Sequence, residues 1–104
     1  MERIEPFLTA LRPLLHQHGV VRAYLFGSYA RGAADQFSDI DVIIVAPSER
    51  PAVDRFRDYL PAILASGIGV QMLVYTPEEF EQMQAEERPF LVHALEGAKV
   101  IYEG

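Results

Sequence analysis

The sequence predicts an α/β fold in which helices flank a central β-sheet. Segments whose apolar residues repeat with helical spacing alternate with short β-branched and aromatic runs, in the order α-β-α-β-α-β-α-α-β. The length of 104 residues suits one domain, since typical domains run to about 100–150 residues. A composition of 50% hydrophobic and 23% charged residues is that of an ordinary globular chain. We therefore expect residues 1–104 to form a single small domain.

Helical and strand segments alternate in the first half of the chain. Apolar residues at three- and four-residue spacing predict a helix over residues 3–18, which Gly19 ends. The β-branched and aromatic run at residues 20–26 predicts a strand, and a short helix or turn follows over residues 29–32. The run at residues 40–45 is apolar apart from its aspartate, so this second strand is expected to be buried on both faces.

The second half continues the alternation and ends in two consecutive helices and a short strand. Predicted helices cover residues 52–66, 76–87 and 89–95, and predicted strands cover residues 70–75 and 100–102. Pro61 can break or kink the first of these helices. Thr76 and Pro77 are typical of a helix start, because threonine caps the helix and proline fits its first position.

Composition excludes several classes of protein. The chain has no cysteine, which rules out disulfides, thiolate metal sites and cysteine nucleophiles. No apolar run approaches the roughly 20 residues that cross a bilayer, and the charged, acidic N-terminal residues are unlike a signal peptide. We therefore expect a cytoplasmic protein without a membrane partner. A net charge of −6 disfavours extensive nucleic-acid binding but is compatible with a nucleotide held through a metal ion.

One segment combines two features that suit phosphate and metal chemistry: Gly27-Ser28, ten further residues, and Asp39-Ile40-Asp41. A strand that ends in Gly-Ser before a helix presents free backbone N–H groups and a hydroxyl, and glycine lets a phosphate approach the backbone. Asp39 and Asp41 stand two apart at the start of a strand, so both side chains project from the same face. A divalent cation relieves the repulsion between two such carboxylates, and hard oxygen ligands select Mg²⁺ or Mn²⁺. Nucleotidyl or phosphoryl transfer needs such a phosphate cradle beside a cation site.

Each feature alone is weak evidence, because Gly-Ser turns are common after strands and Asp-x-Asp pairs occur by chance in acidic chains. The joint pattern is more specific, because an apolar strand accompanies each half. It comprises Leu25-Phe26-Gly27-Ser28-Tyr29-Ala30-Arg31-Gly32 and Ser38-Asp39-Ile40-Asp41-Val42. This pattern resembles that of the minimal nucleotidyltransferases of the DNA polymerase β superfamily, whose signature is Gly-Ser, about ten residues, and Asp-x-Asp.

The resemblance implies a nucleotidyltransferase (polymerase β-like) fold with a mixed central sheet and flanking helices. Members of this minimal group are often encoded beside a helical HEPN-domain toxin. Several act as antitoxins that transfer AMP from ATP to a tyrosine of that toxin. The resemblance therefore implies ATP as substrate, Mg²⁺ (or Mn²⁺) as cofactor, a HEPN toxin as partner, and assembly with that partner or with further copies of the chain.

The resemblance also implies roles for five residues. Gly27 and Ser28 would hold the triphosphate. Asp39 and Asp41 would be the catalytic carboxylates and would bind two Mg²⁺ ions, which stabilise the attacking and leaving oxygens of an in-line displacement at the α-phosphate. Arg31, three residues past Ser28, can reach a phosphate or a partner's acidic surface, or can stand as a solvated arginine.

The chain departs from the family at the third carboxylate. Members carry an aspartate in a Val-Asp-Leu-Val pattern before a Thr-Pro-Glu-Glu-Phe segment, and the matching position here is Gln71. Glutamine offers a metal a neutral carbonyl oxygen but cannot accept a proton, and general-base help is worth roughly 10²–10⁴-fold in rate. Glu78 or Glu79 could supply a substitute carboxylate, although both follow Pro77 and suit a helix start.

Three functions are compatible with these residues. The first is an enzyme that adenylylates a partner toxin. The second is a catalytically weak or silent module that neutralises its partner by docking, which Gln71 favours. The third is a free-standing enzyme for a small molecule such as an aminoglycoside, which is disfavoured because 104 residues leave little room for a substrate cleft.

Overall fold

The computed structural model describes residues 2–104 and confirms the predicted order of helices and strands. The elements are a 3₁₀ turn (Glu2–Ile4), α1 (Glu5–Gln17), β1 (Arg22–Phe26), α2 (Gly27–Arg31), β2 (Ile40–Val45), a 3₁₀ helix (Ala52–Tyr59), α3 (Leu60–Ser66), β3 (Val70–Tyr75), α4 (Pro77–Ala85), α5 (Pro89–Leu95) and β4 (Lys99–Glu103). No helix within residues 2–104 is long and apolar enough to cross a membrane.

Several element boundaries differ from the sequence prediction by one or two residues, and two of the differences change the description of an element. The short helix after β1 begins at Gly27 rather than at residue 29, so the Gly-Ser pair forms its first turn. The helix predicted over residues 52–66 is two helices, because the chain is 3₁₀ up to Tyr59 and α-helical only from Leu60. Pro61 lies in the first turn of α3, where its missing N–H leaves no hydrogen bond unmade.

The four strands form one mixed sheet in the order β3-β2-β1-β4. Strand β1 is antiparallel to both β2 and β4, whereas β2 and β3 are parallel. The mixed central sheet that the sequence predicted is therefore confirmed. Because of these directions, the carboxyl end of β1 and the amino ends of β2 and β3 meet at one edge of the sheet.

Strand β2 is buried on both faces, as its apolar sequence predicted. Its residues Ile40, Val42 and Ile44 join a core cluster with residues of α1, α2 and α3. Ile43 and Val45 join a second cluster with residues of α4 and α5 on the opposite face. Side chains alternate along a strand, so Asp41 points to the same face as Ile43 and Val45.

A buried arginine joins the two helices that flank β3. Arg55 in the 3₁₀ helix is only 7% exposed. Its guanidinium donates to the carbonyl oxygens of Arg50 (3.1 Å) and Val74 (3.2 Å) and to both carboxylate oxygens of Glu79 (2.6 and 3.3 Å). Glu79 also belongs to a capping box with Thr76 at the start of α4. The hydrogen bond from Arg55, and next the one from the Thr76 backbone, lower the pKa of the Glu79 carboxyl.

Candidate active site

The predicted site residues meet where β1 ends and β2 and β3 begin. Phe26, the last residue of β1, pairs with Asp41, and Asp41 stands opposite Gln71 in the parallel register of β2 and β3. Gly27 and Ser28 follow β1 without a break and open α2. The first-turn N–H groups of a helix have no partner inside it, so this end of α2 offers hydrogen-bond donors next to a carboxylate.

Gly27 is required here by two features of the structure. Its φ of +71° lies in the left-handed region that glycine adopts most readily. A Cβ at this position would also overlap the Oδ2 atom of Asp41 and lie 3.2 Å from its Cγ. The Asp41 carboxylate therefore rests against the backbone at the start of α2. The sequence predicted only a phosphate-binding role for Gly27, because its contact with Asp41 depends on the strand register.

Asp39 makes a comparable contact with a glycine, but with the one that precedes β3 rather than the one that follows β1. It is exposed, it immediately precedes β2, and its carboxylate lies against Gly69 at the entrance to β3. The N–H of Ile40 donates to the carbonyl oxygen of Gly69 at 2.8 Å and so fixes these two segments beside each other. Gly69 lies outside the Gly-Ser and Asp-x-Asp motif, so the sequence did not predict its contact with a site residue.

The two aspartates are close enough to influence each other. Burial raises the pKa of the half-buried Asp41 carboxyl, and the charge of Asp39 raises it further. A cation placed between them would relieve both the desolvation and the repulsion. The described residues 2–104 contain no group of three or more His, Cys, Asp or Glu residues arranged to hold a metal ion. Mg²⁺ commonly takes one or two protein carboxylates and completes its shell with water and substrate phosphates. The donor set therefore fits a metal ion that is shared with a nucleotide.

Gln71 is exposed beside Asp41, where a third carboxylate would complete the cluster. Glu78 and Glu79 do not replace it. They follow the carboxyl end of β3, whereas Gln71 is near its amino end, and the four residues from Gln71 to Tyr75 span about 13 Å at 3.3 Å per residue. Glu79 is also held by Arg55 and by the capping box. The suggestion that either glutamate serves as a substitute ligand is therefore wrong for this chain.

The remaining motif residues divide between the site and the core. Ser28 is partly exposed in the first turn of α2, beside the carboxylates. Arg31 ends the same helix and is exposed, with its aliphatic stem near Gly97 in the turn before β4. Its contact with a phosphate or a partner stays a prediction. Tyr29 is 5% exposed and packs in the core cluster that includes α1, so it belongs to the core rather than to the site.

The loop between α2 and β2 is held in place by Asp35. Its Oδ1 atom accepts hydrogen bonds from the N–H of Phe37 (2.8 Å) and the hydroxyl of Ser38 (3.2 Å). Arg3 donates to its carbonyl oxygen at 3.0 Å and ties the loop to the N-terminal segment. Asp35 thus stabilises the turn that leads into Asp39, which is a common role of aspartate in turns.

A mixed sheet with Gly-Ser after one strand and paired aspartates at the start of its neighbour is the framework of a nucleotidyltransferase. Residues 5–101 match the family described as the nucleotidyltransferase domain, and the chain belongs to this family. It is 38% identical over 76 residues to the protein adenylyltransferase MntA of Thermococcus cleftensis, across 69% of this chain and 76% of that relative. These findings confirm the family resemblance drawn from the Gly-Ser and Asp-x-Asp pattern.

Other similarities agree on the fold. A toxin–antitoxin structure with AMP-PNP superposes with a TM-score of 0.66 at 19% identity, covering 93% of this chain and 73% of that one. The MJ1305 protein of Methanocaldococcus jannaschii is 32% identical over 89 residues, across 81% of this chain and 59% of that protein. The chain thus spans 48% to 59% of the length of two curated relatives that it matches.

Proposed function

We propose that this chain is an antitoxin that transfers AMP from a metal complex of ATP to a hydroxyl of a partner protein, a tyrosine of a HEPN toxin. The observation that carries the proposal is the pair Asp39 and Asp41 beside Gly27 and Ser28, in a chain of the nucleotidyltransferase family. A relative named protein adenylyltransferase, and a similar fold in a toxin–antitoxin structure with AMP-PNP, support it. We place this activity in the cytoplasm and in residues 1–104 acting as one domain.

Each site residue at the edge of the sheet, where β1 ends and β2 and β3 begin, has a distinct role in this proposal. The Ser28 hydroxyl and the N–H groups of the first turn of α2 donate to phosphate oxygens, and Arg31 adds a positive charge toward them. Asp39 and Asp41 hold Mg²⁺ or Mn²⁺ together with the triphosphate. When bound, the metal ion neutralises the charge that develops on the phosphate oxygens. The acceptor oxygen attacks the α-phosphorus, the bond to pyrophosphate breaks, and the hydroxyl proton passes to water because Gln71 cannot take it.

The second candidate function is a module that binds its partner and the nucleotide but transfers little or nothing. Gln71 favours this alternative, because the neutral amide stands where a third carboxylate would be next to Asp41. Metal–nucleotide binding through the two aspartates is common to both candidates. The two functions therefore differ in the chemical step alone.

A labelling experiment separates the candidates. The protein is incubated with a HEPN toxin encoded beside it, Mg²⁺ and α-labelled ATP, and the Asp39→Ala/Asp41→Ala variant is the control. Label on the toxin that disappears in the control supports the adenylyltransferase and means that Gln71 is tolerated. Absence of label with intact toxin binding supports the docking module.

A further inference from the structure

Gly69 lies closer to a predicted metal ligand than any side chain would allow. The hydrogen bond from the Ile40 N–H to the Gly69 carbonyl, at 2.8 Å, holds the start of β3 against the residue that precedes β2. A Cβ at position 69 would overlap the Oδ1 atom of Asp39 and lie 2.9 Å from its Cγ and 3.5 Å from its Oδ2. The Asp39 carboxylate therefore fills the volume in which a side chain at position 69 would begin.

The backbone gives no reason for a glycine at this position. Gly67, two residues earlier, has a φ of +70° and ends α3 in the left-handed conformation, so the turn already has the glycine that it needs. Gly69 adopts a φ outside that region, which other residues also adopt. The contact with Asp39 is thus the structural feature that alanine at position 69 would disturb.

We propose that Gly69 is a positioning residue for the metal site, because its missing side chain sets the rotamer of Asp39 and thereby the place of that carboxylate next to Asp41. This inference rests on the proposed function. The arrangement has a counterpart at Gly27, where a Cβ would overlap the Asp41 carboxylate. One glycine directly after β1 and one directly before β3 therefore leave the space for the carboxylates of Asp39, just before β2, and Asp41, within it.

A Cβ added at position 69 can be accommodated by rotation of the Asp39 side chain, without unfolding of the protein. It is exposed, and the overlapping atoms belong to the end of its side chain. Gly69→Ala should therefore keep the fold and turn the Asp39 carboxylate away from its present position. Residues that orient metal ligands typically change metal affinity about 10–100-fold when replaced.

The test compares wild type with Gly69→Ala, Asp39→Ala and the double variant. Wild type and Gly69→Ala are the two proteins that retain Asp39. In both, three-bond couplings measured by NMR without metal report the χ1 rotamer of this residue. Titration calorimetry with Mn²⁺·AMP-PNP reports the affinity of all four proteins, and thermal unfolding checks the fold. We expect a changed rotamer, an affinity lower by about 10–100-fold in Gly69→Ala, and no further loss when this change is added to Asp39→Ala.

Three results would overturn the inference. The first is an unchanged Asp39 rotamer in Gly69→Ala. This measurement needs no metal, so it tests the inference even if the protein binds no nucleotide. The second is wild-type affinity in Gly69→Ala, and the third is an independent, additive loss in the double variant, which would indicate a general effect on β3. By contrast, equal Mn²⁺·AMP-PNP affinity in wild type and Asp39→Ala would refute the proposed metal role of Asp39 itself.

Discussion

Replacing Gln71 with aspartate tests whether this position is where the chain lacks a metal ligand. Gln71 is exposed and stands beside Asp41 in the parallel register, and neighbouring strands are about 4.8 Å apart. Gln71→Asp thus adds a carboxylate about 5 Å from Asp41 without burying it. In the absence of metal, the added repulsion is about 0.8 kcal/mol in the dielectric of water. That energy corresponds to a melting temperature lower by about 3–7 °C in a domain of this size.

In the presence of metal and nucleotide, Gln71→Asp should stabilise the protein instead of destabilising it. The new carboxylate can ligate the ion and accept the proton of the attacking hydroxyl, whereas Gln71 offers only a neutral carbonyl oxygen and cannot accept a proton. We expect Mg²⁺ with AMP-PNP to raise the melting temperature of Gln71→Asp more than that of wild type. In the labelling assay with the toxin, transfer should accelerate by about 10²-fold or more, the lower range of general-base catalysis.

A change in net charge alone has to be separated from the gain of a ligand. Gln84→Asp is the matched control, because Gln84 is exposed on α4 and the substitution changes the charge equally. It should leave both the transfer rate and the metal response as they are in wild type. If Gln71→Asp transferred no faster than wild type and gained nothing from Mg²⁺, position 71 would not be the missing ligand and the reasoning from register would fail.

Three further substitutions test interactions that affect the stability of the fold. Arg55→Met should lower the free energy of unfolding by about 2 kcal/mol in urea titrations, because a partly buried ion pair and the hydrogen bonds to two carbonyl oxygens are lost. The exposed Arg57→Met is its control, and a change as small as the roughly 0.5 kcal/mol expected of that control would contradict the importance of Arg55. Asp41→Asn should raise the melting temperature without metal at neutral pH but not in acid. Burial and the charge of Asp39 raise the pKa of the Asp41 carboxyl, so its ionisation destabilises the fold as pH rises through that pKa; an equal gain at both pH values would refute this account. Thr76→Ala removes the N-cap of α4 and should lower the free energy of unfolding by about 1 kcal/mol, and no change in the same titration would show that the capping box contributes little.

Local sequence patterns predicted the order of the elements and the motif, but not the contacts between distant segments. The apolar run at residues 40–45 and the start of α4 at Thr76 follow from neighbouring residues, and both were predicted correctly. Pro61 indicated a break in the helix predicted over residues 52–66, and α3 does begin beside it at Leu60. Repeats of three and four residues are too similar to distinguish a 3₁₀ helix from an α-helix, so the 3₁₀ character of the part before Leu60 was missed. Arg55 pairs with a residue 24 positions away, which comes near only because the 3₁₀ helix and α4 both pack against β3.

The strand register likewise determines what the two glycines do. Gly27 and Gly69 are separated by β2 and two helical segments, and only the pairing of β2 with both neighbours places each glycine under one aspartate. In the sequence, Gly27 belonged to a recognisable motif, whereas Gly69 was one residue of a turn. A search for glycines at the entrance of the strand beside an Asp-x-Asp pair could have found it.

The contact at Gly69 bears on the metal–nucleotide binding that both candidate functions share. At a φ that other residues adopt, alanine in place of glycine stabilises a protein by about 0.4–1 kcal/mol, because the unfolded chain has fewer conformations. A protein that acted by docking alone, without metal or nucleotide, would not need the space that Gly69 leaves for the Asp39 carboxylate. Glycine at this position therefore favours a site in which the placement of the two carboxylates matters, which is metal–nucleotide binding. Gln71 affects a later stage, because it stands beside Asp41 but can neither carry charge nor accept the proton of a nucleophile. The chain is thus expected to bind Mg²⁺·ATP well and to be limited in the chemical step.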